Sequence, residues 1–262
     1  MHRFYLPPEQ ASGPELVLTG SEAHHALHVL RIRPGDRVTV LDGRGTQLLC
    51  EAREQVGNGL RVVVLDKRSA APPQYQICLA QAMPKPKAFE LIIQKATELG
   101  AWRIIPLISA RTGPSARSAG AHEKHAKWQR TAIEAIKQSG NPWLPIIEPP
   151  LTVSELLARK DRFELELVAA LRPDALHPRE CFAHFAQAHG RRPTTVRVWI
   201  GPEGDFTTDE LNAIKAHGAQ PISLGPNVLR TETAAIYCLA ILSYELNART
   251  DLPALDVPPG PA

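Results

Sequence analysis

The chain has 262 residues, 44% of them apolar, and a formal charge of only +3. That is enough apolar material for one large domain or two small ones, which excludes a disordered or fibrous chain, and the charge is too small to argue for nucleic acid by itself. No apolar run approaches the roughly 18 residues of a membrane span and the start, Met1-His2-Arg3-Phe4-Tyr5, lacks a signal peptide's apolar core, so a cytoplasmic protein is expected.

Residues 1–71 read as a small, mainly β module. Runs at 15–18, 38–41, 46–52 and 60–65 alternate or are β-branched, and glycine-rich turns separate them, which predicts a compact barrel. Thr19 and Glu22 have capping-box spacing, which predicts a helix carrying His24, His25 and His28. No HExxH and no second ligand cluster accompanies these histidines, so no metal is expected. Cys50, Cys78, Cys181 and Cys238 are scattered in apolar runs, as reduced core residues would be.

Residues 70–74, with Pro72-Pro73, break both periodicities and form the expected linker. Beyond it, strands at 77–82, 103–108, 165–171, 196–200 and 221–224 alternate with helices. The helices fall at 87–99, 123–138, 178–189, 207–217 and 231–246. This is an α/β plan with a mainly parallel sheet, over residues 72–250 and followed by a tail at 251–262. Charge is uneven along it. Residues 81–143 carry ten basic and four acidic side chains, whereas 144–262 have a net charge of −4, so a phosphate-bearing substrate would meet the middle segment.

The last two strands break at once into Gly201-Pro202-Glu203-Gly204 and Gly225-Pro226-Asn227. Glycine after a strand lets the backbone approach a ligand, and a following helix points free N–H groups at it. A Rossmann site is excluded, because no GxGxxG follows a first strand; so is a P-loop, because GxxxxGK[ST] is absent. The helix at 231–246 is apolar nearly all round, as for burial in a core or between subunits.

The stretch Ile200-Gly201-Pro202-Glu203-Gly204 with Thr207 and Glu210, and Leu224-Gly225 with Val228-Leu229-Arg230-Thr231-Glu232-Thr233-Ala234, resembles the RsmE family of SPOUT methyltransferases. The resemblance extends to Lys85, Phe89-Glu90, the run 93–100, Ile105-Pro106, Arg111, Glu134 and Gln138-Ser139. It also takes in His24-His25, Val29-Leu30-Arg31 and Gly35-Asp36. Departures stand at His28, Ala110-Arg111-Thr112, Asn141 and Asp205, the last where a third glycine is common.

The resemblance implies a C-terminal α/β domain with a deep trefoil knot behind a PUA-like barrel, a two-fold dimer through the knotted domain, and ribosomal RNA as partner. Each RNA site is open to a contribution from the partner's N-terminal module. It implies methylation of N3 of a small-subunit rRNA uridine, with S-adenosylmethionine as cofactor and no metal. The cofactor candidates are Leu171, Ile200, Gly201, Pro202, Glu203, Gly204, Leu224, Gly225, Asn227, Leu229, Thr231, Thr233 and Ala234. Arg230, with Arg111 as second choice, is the candidate to stabilise the uracil anion and Glu232 the candidate base. Arg3, Arg31, Arg33, Lys85, Lys87, Lys95 and Gln138 are the RNA-facing candidates. A ribose 2′-O-methyltransferase of the same superfamily and a non-catalytic RNA-binding assembly factor stay open as alternatives.

Overall fold

The computed structural model describes residues 1–113 and 121–247. In the N-terminal module, β1 (His2–Tyr5), β2 (Glu15–Leu18), β3 (Arg37–Leu41), β4 (Thr46–Val56) and β5 (Gly59–Ser69) form one ladder in the order β1-β3-β4-β5-β2. Inward residues alternate with outward ones, as along β4, where Leu48, Cys50 and Ala52 are buried. Phe4 from one edge strand and Leu16 and Leu18 from the other share a single core with Val38, Val40 and Leu60, so the ladder curls around it. β4 and β5 outrun the expected strands because their exposed C-terminal residues stay paired, Gln55 and Val56 with Leu60 and Gly59 at the hairpin and Asp66 to Ser69 with Leu49 to Thr46 at the other end.

The expected capping box does not form. Thr19 precedes α1 (Gly20–His24) without a side-chain cap. The Glu22 carboxylate instead accepts from the Tyr5 N–H (3.2 Å) and from the Lys137 ammonium (2.8 Å), two strong donors from other elements. The helix continues as a π-turn (His25–Val29) and closes on Arg31, which adopts a left-handed φ of 54°.

The second sheet starts at Gln76, beyond the proline stretch. Its elements are β6 (Gln76–Ala82), α2 (Pro86–Glu98), β7 (Arg103–Ile108), α3 (Ala121–Ser139), β8 (Ile146–Ile147), β9 (Leu151–Thr152), α4 (Val153–Leu157), β10 (Leu165–Ala169), α5 (Pro178–His189), β11 (Thr195–Ile200), α6 (Thr208–Ala216), β12 (Gln220–Ile222) and α7 (Thr231–Asn247). All pairings are parallel, in the order β12-β10-β11-β6-β7-β8 with β9 beside β7. Ile77, Leu79, Leu167 and Val198 face α2, α3, α5 and α7, while Cys78, Ala80, Val168 and Trp199 face α4 and α6. A sheet buried on both faces accounts for the near-continuous apolar runs.

Strand β11 hides a charge in such a run. Arg197 is fully buried, with its guanidinium forked onto Glu166 (2.6 and 3.0 Å) and lying over the Phe163 and Trp199 rings. Trp199 Nε1 donates to the same carboxylate at 3.1 Å. The four cysteines are free and buried. Among the described residues no helix is long and apolar enough to cross a membrane.

The two modules are joined by specific polar contacts. Arg3 donates to the Lys137 and Gln138 carbonyls (3.1 and 3.0 Å), which lie at the C-terminal end of α3, and Gly45 N–H donates to Pro142 at 2.9 Å. A Cβ on Gly45 would lie 2.5 Å from the Trp143 ring. Ile146 pairs with Arg103, the first residue of β7, so the N-terminal module docks at the N-terminal ends of the parallel strands.

Candidate active site

The C-terminal ends of β10, β11 and β12 are adjacent, and each runs into a loop. Residues 169–171 and 200–203, Asp205, Ile222, residues 224–225 and residues 227–229, closed by Thr231 and Ala234 of α7, line one pocket at the end of the sheet opposite the N-terminal module. Ligands of open α/β sheets lie at such strand ends.

From the edge at β12, the chain returns to run α7 beneath β6 and β11, and Thr231 locks that return. Its hydroxyl donates to the Gly201 carbonyl at 2.7 Å and accepts from Gln81 Nε2 at 2.9 Å, with Gln81 and Thr231 both buried. The ends of β6 and β11 and the start of α7 are thereby held together. Gln81 lies outside the expected site, and its sequence context, an amide at the end of an apolar strand, carried no signal for it.

Most of the expected cofactor residues are brought together. Leu171, Ile200, Gly201, Pro202, Glu203, Leu224, Gly225, Asn227, Leu229, Thr231 and Ala234 all line the pocket. Ala169, Ala170, Asp205, Ile222 and Val228 join them, whereas Gly204 and Thr233 do not line it. Thr233 faces solvent one residue from the pocket wall, as the 3.6-residue helical turn requires. Gly204 is used otherwise: its carbonyl accepts a hydrogen bond from the Arg111 guanidinium, and a Cβ there would meet Arg111 Cδ at 3.3 Å.

The glycines serve different ends. A Cβ on Gly201 would lie 2.8 Å from Asp205 Oδ1 and 3.1 Å from the Phe206 nitrogen, so that glycine is required by close approach. Gly225 has open space around it but a φ of +105°, so it is required by backbone conformation. Thr207 and Glu210 form a complete capping box on α6, and the other oxygen of Glu210 accepts from the Ala110 N–H at 2.7 Å. The loop bearing Arg111 is therefore tied both to the pocket loop at Gly204 and to the start of α6 at Glu210.

Arg230 and Glu232 flank Thr231 but do not line the pocket. Arg230 is exposed and has no side-chain hydrogen bond or ion pair among the described residues; its carbonyl begins the α7 ladder by accepting from Ala234 N–H at 2.8 Å. Glu232 is half-buried in the first helical turn, where an acid complements the helix dipole.

The RNA-facing candidates divide. Arg31, Arg33, Lys85 and Lys87 are exposed, and none has a side-chain ion pair among the described residues. Arg3 is engaged by α3, and Lys95 is paired with Glu98 at 2.8 Å. Gln138 is exposed and gives its carbonyl to Arg3. Asn141 is a turn residue, accepting from Trp143 N–H and donating to the Thr97 carbonyl. The His24 and His28 rings stand 5.0 Å apart, and no group of three or more possible metal ligands converges among the described residues.

The family model for an RNA methyltransferase domain matches residues 71–243, and that for an RNA methyltransferase PUA domain matches residues 18–51. The chain is 33% identical to the ribosomal RNA small subunit methyltransferase E of Synechocystis sp. over 250 residues, 94% of this chain and 78% of that protein. It is 32% identical to the Mycobacterium bovis protein of the same name over 97% of this chain and 95% of the relative. Among solved structures, it is similar to a Legionella pneumophila methyltransferase in complex with bound SAM (29% identity, TM-score 0.81, covering 93% and 97%). It is also similar to a Neisseria gonorrhoeae ribosomal RNA small subunit methyltransferase E bound to S-adenosyl methionine (27%, 0.81, 94% and 98%). With its α/β fold, its N-terminal PUA module and a loop-built pocket at the strand ends, the chain belongs to the RsmE family of RNA methyltransferases.

Proposed function

We propose that this chain methylates N3 of a uridine in small-subunit ribosomal RNA, using S-adenosylmethionine. The observation that carries the reading is the Thr231 latch, which joins the glycine loop after β11 to the helix after β12 around one pocket. The pocket suits an adenosyl ligand. Its walls are mainly apolar, with a few polar side chains (Glu203, Asp205, Asn227 and Thr231) among them, and Gly201 leaves no room for a side chain. Two apolar side chains, Leu171 and Val228, stand 61% and 79% exposed at its rim, as if to cover a bound ring. SAM-bound relatives with 27–29% identity over nearly the whole chain point the same way.

When bound, the cofactor supplies a methyl group on a sulfonium, an electrophile that needs no metal. The chain's task is to align the base and manage one proton. N3 lies on the pairing edge, so the uracil has to be unpaired and turned toward the pocket. Arg230 then faces the negative charge that spreads over O2 and O4, and Glu232 accepts the N3 proton. With the proton on Glu232 and the charge held by Arg230, the N3 lone pair would be free to take the methyl group, the C–S electron pair leaving with a neutral thioether.

Residues 1–71 form the RNA-holding module and 72–250 the transferase, in this reading, with the knotted threading that the resemblance implies and a cytoplasmic site of work. The tail at 251–262 lies outside the described residues. A two-fold dimer completes the site. The N-terminal module and the pocket lie at opposite ends of a sheet whose strands run six residues, about 20 Å, so RNA touching both in one chain would have to span that height. A partner copy offers its own module instead. The surface suited to it is the outer stripe of α7, Thr233, Tyr237, Ala240 and Tyr244, where Tyr237 and Tyr244 are 47% and 68% exposed.

Nucleoside mapping of small-subunit rRNA from a strain lacking this gene tests the reading. A single uridine that loses its N3 methyl group supports it, and an unchanged map or a lost 2′-O-methyl group rejects it.

A further inference from the structure

Asp205 is one of two non-glycine residues in the left-handed region among the described residues, with a φ of 61°. Aspartate is among the few non-glycine residues that adopt that conformation, and here its own side-chain bond supports it. Asp205 is half-buried and lines the pocket. Its Oδ1 accepts from the Phe206 N–H at 2.7 Å and fills the space above Gly201, while Oδ2 has no partner among the described residues.

The charge of the lining is one-sided. Among the described residues Asp205 and Glu203 are the only charged residues of the lining, and neither has an ion-pair partner. Arg111, on the neighbouring loop, points its guanidinium at the Gly204 carbonyl and does not line the pocket. A pocket with two uncompensated carboxylates favours a cation. Of the two states of the adenosyl ligand, S-adenosylmethionine carries a net charge of +1 and its demethylated product carries none.

We propose that Asp205, with a smaller part from Glu203 at the exposed rim, makes this pocket prefer S-adenosylmethionine over S-adenosylhomocysteine, so that methyl transfer itself weakens the hold on the product. This rests on the cofactor reading above. Asp205 acts as a specificity determinant, and loss of the sulfonium charge is the signal it reads.

Calorimetric titration of each ligand into the wild type, Asp205→Asn and Asp205→Gly tests it. Asparagine tolerates the left-handed backbone and keeps the bond to Phe206 N–H, so it removes the charge alone. Glycine adopts the left-handed backbone freely and serves if the asparagine variant folds poorly. The expected result is that either substitution weakens S-adenosylmethionine about fivefold, ~1 kcal/mol, and leaves S-adenosylhomocysteine within about twofold. The wild-type preference should also shrink in 0.5 M salt. Equal losses for both ligands, or no change for either, would overturn the proposal while leaving the cofactor reading intact. A folded wild type that binds neither ligand would remove the cofactor reading, and this proposal with it.

Discussion

The Thr231 hydroxyl sits 2.7 Å from the Gly201 carbonyl, although the two residues are thirty positions apart in the chain. Through Gln81 Nε2, 2.9 Å from the same oxygen, the end of β6 joins them. Thr231→Val keeps the shape and removes both bonds, leaving the buried Gly201 carbonyl without its hydroxyl donor and Gln81 Nε2 with only the Ala82 carbonyl as acceptor. The expected cost is about 2–4 kcal/mol of stability, together with weakened S-adenosylmethionine binding, and Thr231→Ser should recover most of both. Urea denaturation and calorimetry on the two variants check this; a valine variant with wild-type affinity would detach the latch from the pocket.

Gly201 and Gly225 should fail differently. Gly201→Ala brings a Cβ within 2.8 Å of Asp205 Oδ1 and must displace the pocket loop, so it should lower cofactor affinity more than stability. Gly225→Ala meets no neighbour but a φ of +105°, so its melting temperature should fall, whereas Gly225→Asn should be milder. Paired melting and binding measurements separate strain from crowding.

Arg230→Ala should lower the methyl-transfer rate about 100- to 1,000-fold with cofactor and RNA affinities near wild type, because its contact strengthens only as charge develops. Raising the pH should partly rescue it by supplying the deprotonated base. Glu232→Gln should show the same rescue if Glu232 takes the proton; a role limited to the helix dipole gives a lower melting temperature and a normal rate. Single-turnover methylation against pH, with RNA pre-bound, reads both.

Lys137 holds the two modules together. Its ammonium, 6% exposed, bonds Glu22 and Glu134 at 2.8 Å each. Burial alone would pull its pKa down, but the bonds to Glu134 and Glu22 outweigh that and lift it above the usual lysine value. A raised value in the folded state means that the contribution is fully present below the unfolded lysine pKa, about 10.4, and is lost as the pH rises through the folded one. Stability should therefore drop in strongly alkaline solution. Lys137→Met should abolish that drop and cost about 3–5 kcal/mol at neutral pH by stranding Glu22. Adding Glu22→Gln should return much of the loss, as a thermal melt of the double variant would show.

RNA affinity should respond to Arg31 and Arg33 more cleanly than to Lys95, whose partner Glu98 would be stranded by any substitution. Arg31→Asn keeps the left-handed backbone, so its effect reads the charge. Each variant should weaken RNA binding and flatten its salt dependence by close to one phosphate contact. Filter binding across salt concentrations measures the slope, and unchanged slopes would move the RNA surface elsewhere.

Much of this architecture was legible because its signals are local. Apolar period, proline breaks and glycine turns gave the order of the elements, and α5 and α2 fall where the 3.6-residue pattern put them. What was hidden depends on partners distant in sequence. Glu22 looked like a helix cap but answers Lys137 across 115 positions, and Arg197 in an apolar strand is neutralised by Glu166. The outer stripe of α7 was equally hidden, since an all-apolar helix gives no cue to which face stays bare. Within the site, the glycine loops were readable from composition. The part played by Gln81 and the placing of Asp205 follow from where the strands end.

Methyl transfer to a uracil nitrogen can be read from its product, by incubating the purified protein with S-adenosylmethionine and small-subunit rRNA, or the assembled subunit, from a strain lacking the gene, and then identifying the nucleosides by mass spectrometry. One new 3-methyluridine per RNA is expected, at a single position and absent with Arg230→Ala at short times. A product methylated on ribose, or no methylated nucleoside from either substrate by a protein that binds the cofactor, would contradict it.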